Sequence, residues 1–307
     1  MCETKNPFIS AITAVTSSSV EPIISTLNRQ SFTYWELIII CLEEEREAIS
    51  SVINAFDEET VRKIKVVSFD ANNNYAKAIN IGIRSASGEY LIIVDQNDGI
   101  DYCFFEELYH SFRHQGVKLY YPEVKIHYST RFLNRPLLLG SRKHPSNDEL
   151  FLAKKMIVSH TCASLCFVFP KSIIKEIGYF DENVTEFSIW EYFIKLSLAM
   201  DFYKLSGISY LFNIDKESGH PRLPIMDLNK VDNYRYHLIN YYSKKQSRLP
   251  TYEYDLSVLD VEKITQQDRA KAKVINKTNY NLFFKTLIIK SFKLALLIVN
   301  KIKVKFG

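Results

Sequence analysis

The chain has 307 residues, 47% of them apolar and 24% charged, with a formal net charge of +4. That composition excludes an intrinsically disordered chain and leaves room for one large or two small packed domains. The positive surplus collects in the Lys-rich C-terminal stretch, so the body is near neutral, which argues against a dedicated nucleic-acid binder.

Phe8 to Val15 reads as a first strand. Ser17-Ser18-Ser19 offers a helix start, and Val20 to Asn28 follows with helical period, with Glu21 and Pro22 in the first turn, where an acid and a proline are favourable. Trp35 to Cys41 is a second buried strand, Ala48 to Phe56 a helix, and Ile64 to Phe69 a third strand. Asn72-Asn73-Asn74 makes a polar turn, Tyr75 to Ser85 a helix, and Tyr90 to Val94 the fourth strand. Strands alternating with helices of this length imply βαβ units and a mostly parallel sheet. Asp101 to His114 is a further helix, followed by strand-like, Tyr-rich pieces and an irregular stretch from Arg131 to Asn147. His160 to Phe169 then reads as strand, Lys171 to Ile177 as helix, Gly178 to Asp181 as turn and Trp190 to Met200 as helix. Residues 215–265 are polar, with Pro221, Pro224 and Pro250, and read as long loops with short helices.

The tail from Asn281 to Lys305 has a helical pattern of its own. Lys285, Lys290 and Lys293 share one arc, while Phe283, Phe284, Leu287, Ile288, Leu294 and Ile298 mostly fill the rest. Its longest uncharged apolar run, Leu294 to Val299, is far too short to cross a bilayer. A basic amphipathic helix of this kind suits the interface of an anionic membrane; packing on the body or on a second subunit is the alternative. Cys2, Cys41, Cys103, Cys162 and Cys166 are scattered and odd in number, the pattern of a reduced cytosolic protein. Cys162 and Cys166 are read as two buried thiols, and His110 with His114 as an exposed helix face, since neither pair has metal-site spacing with further ligands. Met1 to Pro7 lacks the apolar core of a signal peptide.

The densest chemistry lies where the apolar run Tyr90 to Val94 meets Asp95-Gln96-Asn97-Asp98. Open α/β sheets place ligands just beyond the carboxyl ends of such strands. Acids there can hold a divalent cation that neutralises a diphosphate; an ordinary polar turn is the competing reading.

Four blocks in order then resemble family 2 glycosyltransferases. Ser25 to Ile39, with Gln30 and Trp35-Glu36-Leu37-Ile38-Ile39, is similar to the family's S-x-L-x-Q-T-Y-x-x-W-E-L-I-I. Asn72 with Ala78-Ile79-Asn80-Ile81-Gly82-Ile83 resembles N-x-G-x-x-x-A-R-N-x-G-I, and Gly88 to Asp98 resembles G-E-Y-I-x-F-L-D-S-D-D. Phe169-Pro170-Lys171-Ser172 followed by Ile177-Gly178-Tyr179-Phe180-Asp181-Glu182 resembles the family's G-G-F-D-E turn. The resemblance covers residues 8 to about 212. It implies an α/β protein of the GT-A fold, with a Rossmann-like, mostly parallel central sheet flanked by helices, to which the periodicity beyond it adds a C-terminal helical tail. Residues 1–120 become the nucleotide-sugar-binding half and 121–215 the acceptor-binding half of one domain. Residues 216–265 become a loop-rich extension and 266–307 the basic amphipathic helix.

The resemblance further implies an inverting, hexosyl-transferring enzyme that uses a nucleoside-diphosphate sugar and Mg²⁺ or Mn²⁺. The implied metal ligands are Asp95, Asp98 and His220, with Asp95, Asn72, Lys77 and Asn97 on the nucleotide sugar and Glu186 or Glu191 as the base. The expected acceptor is a polysaccharide or lipid-linked glycan. The implied location is cytoplasmic, peripheral at the inner face of the plasma membrane through 281–305, with an oligomer or a partner transferase among its contacts and no nucleic acid. Several family acids are replaced: Asn97 stands for the second metal acid, Cys41-Leu42 for the base-reading pair, and Ser188-Ile189 for the pair that supplies the catalytic carboxylate. Glu43-Glu44-Glu45 could substitute through a shifted loop or form a solvated acidic turn. These losses motivate the alternative of a non-catalytic GT-A partner or scaffold of an active transferase.

Overall fold

The apolar run Ile9–Ala14 (β1) sits between two equally apolar neighbours, Trp35–Leu42 (β2) and Tyr90–Ile93 (β4), and pairs parallel with both. Ile64–Phe69 (β3) adds to the far side of β2, again parallel. The computed structural model describes residues 7–15, 19–70, 74–132, 135–143, 167–184 and 187–215. The chain divides into one unit of Met1–Lys125, Ser146–Met156 and Cys162–Phe212, and a second of Ile126–Pro145, Ile157–Thr161 and Asn213–Gly307. Residues 216–265, the tail 281–305 and the Cys162–Cys166 pair lie outside the described residues.

The remaining strands are Gly99–Ile100 (β5), Leu119–Phe132 (β6), Arg135–Lys143 (β7), Val168–Pro170 (β8) and Phe202–Asp215 (β9). The sheet runs in the order β3-β2-β1-β4-β8-β6-β9-β5. It is parallel through β4 and antiparallel where β8 meets β4 and β6 and where β5 meets β9. β7 falls in the second unit together with Ile126–Phe132 of β6 and pairs with β6, so the stretch expected to be irregular contains a strand.

Helices Glu21–Asn28 (α1), Arg46–Ile53 (α2), Glu58–Arg62 (α3), Tyr75–Ser85 (α4), Phe104–Gln115 (α5), Ile174–Ile177 (α6) and Ser188–Ala199 (α7) complete the described elements. Val20, not a serine, occupies the N-cap of α1 and makes no side-chain cap, while Glu21 and Pro22 take the first turn as expected. The short α3 escaped the periodicity reading, although Asp57 caps it by accepting the Thr60 amide at 2.9 Å. α4 packs closely on β1 because Gly82 has no side chain; a Cβ there would collide with Cγ2 of Ile12.

The glutamate of the Trp-Glu-Leu-Ile-Ile block is an architectural residue. Buried Glu36 accepts from Ser10 Oγ at 2.6 Å, from the amides of Ser87 at 2.5 Å and Gly88 at 3.2 Å, and from Lys65 Nζ at 2.6 Å. One carboxylate thus ties β1, β2 and β3 to the turn that launches β4. Gly88 is required at that turn, where a Cβ would lie 2.7 Å from the backbone nitrogen of Ser10. Burial pushes the Glu36 carboxyl up, but the hydrogen bonds from Lys65, Ser10 and Ser87 outweigh it and hold the group below its ordinary value. A depressed carboxyl contributes stability that is present above about pH 4.3 and lost as pH falls through the folded-state value. Wild-type urea midpoints are therefore expected to drop as pH falls below about 4.3, and Glu36→Gln to remove part of that drop. Equal slopes for the two proteins across that window would show that another group governs acid unfolding.

Candidate functional site

β1 lies at the topological switch of the sheet: its chain connection leads to β2 on one side, while β4 pairs on the other. Ligands of open α/β sheets bind in the crevice beyond the carboxyl ends of strands at such a point. The ladder of β4 on β1 continues one step past the strand, with the Val94 amide donating to the Ile12 carbonyl at 2.9 Å. The next four residues then turn. The Asp98 amide donates to the Asp95 carbonyl at 3.0 Å, and the Asn97 amide to Asp95 Oδ1, also at 3.0 Å. Asp95 thus closes its own turn with both main chain and side chain.

The two aspartates part company here. Asp95, Gln96 and Asn97 are half-buried on the turn. Asp98 lies beneath it at 1% exposure and accepts the Tyr210 hydroxyl through Oδ2 at 2.8 Å. Tyr75, the first residue of α4, is close enough to feel that carboxylate: burial first, then the charge of Asp98, pushes its phenol up. The start of α4, capped by Asn74 accepting the Lys77 amide at 3.0 Å, is thereby placed near the acidic turn. Lys77 itself is exposed.

A second polar knot organises the segment expected to serve the acceptor. Asn80 is buried, accepts the Phe180 amide at 2.9 Å, and donates to the Phe180 carbonyl and to Glu182 Oε1, each at 2.9 Å. Asn74 also donates to the Glu182 carbonyl at 2.5 Å. Phe180 stacks on Tyr192 of α7 at 3.9 Å, so the turn and that helix form one packed block. Phe187, the N-cap of α7, has φ 62°, the one non-glycine residue in the left-handed region among those described. Strain of that kind gathers where a loop must present a group in one orientation.

Of the two expected bases, Glu186 lies outside the described residues, as do Asn72 and His220. Glu191 is on α7, 9% exposed, with Oε1 ion-paired to Lys195 at 3.0 Å. Glu43–Glu45 form a 3₁₀ turn after β2, where Glu43 makes an exposed contact of 3.9 Å with Arg46. Buried Cys41 stands where the family carries an acid, and burial pushes its thiol up, so it contributes no charge there. Among the described residues no cluster of three His, Cys, Asp or Glu side chains is arranged to hold a metal, and no helix is long and apolar enough to cross a membrane. A groove of ≈ 490 Å³ between Tyr90, Phe112, Pro170, Lys171, Lys175 and Tyr179 opens at the amino end of β4, away from Asp95. The sequence reading missed Tyr210, because nothing in an isolated strand of alternating residues says which phenol will meet a carboxylate from a distant turn.

A half-parallel sheet with flanking helices and an acidic turn beyond its fourth strand defines a GT-A-fold protein. Residues 12–178 match Glycosyl transferase family 2, so the chain belongs to that family. It is 22% identical over 177 residues to the uncharacterised glycosyltransferase YwdF of Bacillus subtilis (strain 168), a match covering 56% of this chain and 61% of YwdF. In three dimensions it is similar to S. aureus TarS 1-349 in complex with UDP-GlcNAc, with TM-score 0.55 and 17% identity over 83% of this chain and 77% of that one. Against a longer TarS structure the TM-score is 0.52 at 17% identity, covering 83% of this chain and 46% of TarS.

Proposed function

We propose that this protein transfers a sugar from a nucleoside-diphosphate donor, with inversion, to a polysaccharide or lipid-linked acceptor at the cytoplasmic face of a membrane. The observation that carries this reading is the Asp95 turn beyond β4, at the switch point of the sheet. TarS, which shares the fold, is complexed with UDP-GlcNAc, which supports a nucleotide-sugar ligand for this chain.

The residues present suit a hard divalent cation. The turn offers a half-buried carboxylate beside a carboxamide, and Mg²⁺ or Mn²⁺ is commonly held by one or two such oxygens together with substrate phosphates. Asp95 would hold the ion with Asn97 beside it, in place of the expected Asp98, whose carboxylate is buried on Tyr210, and His220 would be a further ligand; the ion would neutralise the departing diphosphate. Lys77 and Asn72, near the start of α4, would contact the donor. Glu186 is the base better suited to the acceptor hydroxyl, because Glu191 already spends one oxygen on Lys195. The basic segment 281–305, as the amphipathic helix its sequence pattern suggests, would bring the enzyme to anionic lipid.

Calorimetric titration with uridine and guanosine diphosphate sugars is expected to show binding in Mn²⁺ that disappears when EDTA removes the ion. The engagement of Glu191 and the isoleucine at position 189 favour one competing reading, a non-catalytic partner of an active transferase. A chain that gives no heat of binding with either donor class would support that partner and reject the enzyme.

A further inference from the structure

The acidic turn is held from below, and the strand that holds it is β9. Ile100 pairs with Tyr210 and Gly99 with Leu211. The Asp101 carboxylate accepts the Ser209 amide at 2.5 Å, while the Asp101 amide donates to the Ser209 carbonyl at 3.1 Å. On the other side Gln30 donates to the Asp101 carbonyl at 2.8 Å and accepts the Phe105 amide at 3.1 Å. The residues following the turn are therefore clamped between α1 and β9. These main-chain and side-chain links hold Gly99 to Phe105; a side-chain link that reaches the turn itself is the hydroxyl of Tyr210 on Asp98.

The geometry points to Tyr210 as a positioning residue for the donor site: its buried hydroxyl, 2.8 Å from Asp98 Oδ2, fixes the last residue of the turn that presents Asp95 and Asn97. This rests on the reading of that turn as the diphosphate and cation grip. Both partners are 1% exposed, so the bond is shielded from water and loss of the hydroxyl removes a donor from the buried carboxylate. Asp98 also joins the turn main chain to itself through its amide on the Asp95 carbonyl. A shift of the Asp98 side chain therefore moves the backbone that carries Asp95 Oδ1 and the Asn97 amide. Burial, and then the charge of Asp98, push up the phenol of Tyr75, the first residue of α4. Tyr210 touches no reacting atom; it acts through Asp98.

Tyr210→Phe keeps the ring in the core and removes the hydroxyl alone. The full chain is titrated calorimetrically with uridine, guanosine, thymidine and cytidine diphosphates in Mn²⁺. Tyr210→Phe is expected to bind whichever nucleotide wild type binds about tenfold more weakly. Asp98→Asn, which weakens the same bond, is expected to act in the same direction, and the double variant to bind no more weakly than the weaker single. In donor hydrolysis the loss is expected in KM, with kcat within about twofold of wild type. A folded Tyr210→Phe with wild-type affinity, or single effects that multiply in the double variant, overturns the inference. If Tyr210→Phe fails to fold, wild-type affinity in Asp98→Asn overturns it instead. Asp95→Asn separates the two levels: lost binding there beside unchanged binding in Tyr210→Phe sinks the inference alone. Wild type binding none of the four nucleotides sinks the donor-site reading and the inference with it.

Discussion

Asp95→Ala is expected to lower donor hydrolysis and transfer by about 10²- to 10³-fold, the usual loss when a preorganised group that meets developing charge is removed. The expectation follows from position. Asp95 is half-buried at the end of β4, on the turn that opens beyond the sheet, whereas its neighbour Asp98 is buried below. The alanine variant alone mixes two effects, since Asp95 Oδ1 also accepts the Asn97 amide. Asp95→Asn separates them. Its amide oxygen still accepts that hydrogen bond and keeps the turn, but the negative charge is gone. The asparagine variant is therefore expected to melt with wild type and yet lose activity nearly as far as alanine. Steady-state hydrolysis of the donor, beside thermal unfolding, checks both halves. Transfer within about tenfold of wild type in Asp95→Asn would show that the charge is not used there.

Asn80→Ala is expected to give a large loss of stability. Three hydrogen bonds end on this buried side chain, two of them pairing both backbone groups of Phe180. Truncation leaves an amide and a carbonyl without their partners in a dry site, a cost of about 1–3 kcal/mol for each. The sum, on the order of 3 kcal/mol, corresponds to a fall in Tm of roughly 10 °C for a domain of this size. Asn80→Asp does not rescue it: the carboxylate still accepts the Phe180 amide but donates to nothing and faces Glu182. Because the 178–182 turn stacks on α7 through Phe180 and Tyr192, the lesion is also expected to loosen the block that carries Glu191. A melting shift under about 2 °C in Asn80→Ala would show that water replaces the lost bonds.

Several residues of the family-like blocks carry structure. Glu36 ties three strands to the turn before β4, Gln30 bridges α1 to the start of α5, and Asn80 holds a turn a hundred residues away. For Glu36 alone the need for a partner was legible, because a buried strand does not carry a charged residue without one. The partners themselves were not, because Lys65, Asp101 and Phe180 come from segments that only folding brings near.

From the sequence alone followed the alternation of apolar strands and amphipathic helices, hence the parallel half of the sheet and the acidic turn at its carboxyl edge. Those features rest on local periodicity and on the reach of a short chain segment. Tertiary structure alone decided which of the two aspartates of the turn is presented and which is buried. That outcome depends on β9, whose Tyr210 arrives 112 residues after Asp98 and supplies the hydroxyl that draws the carboxylate inward. A hydrogen bond across so long a loop leaves no period or spacing in the chain, since it is selected by burial of both ends rather than by either neighbourhood.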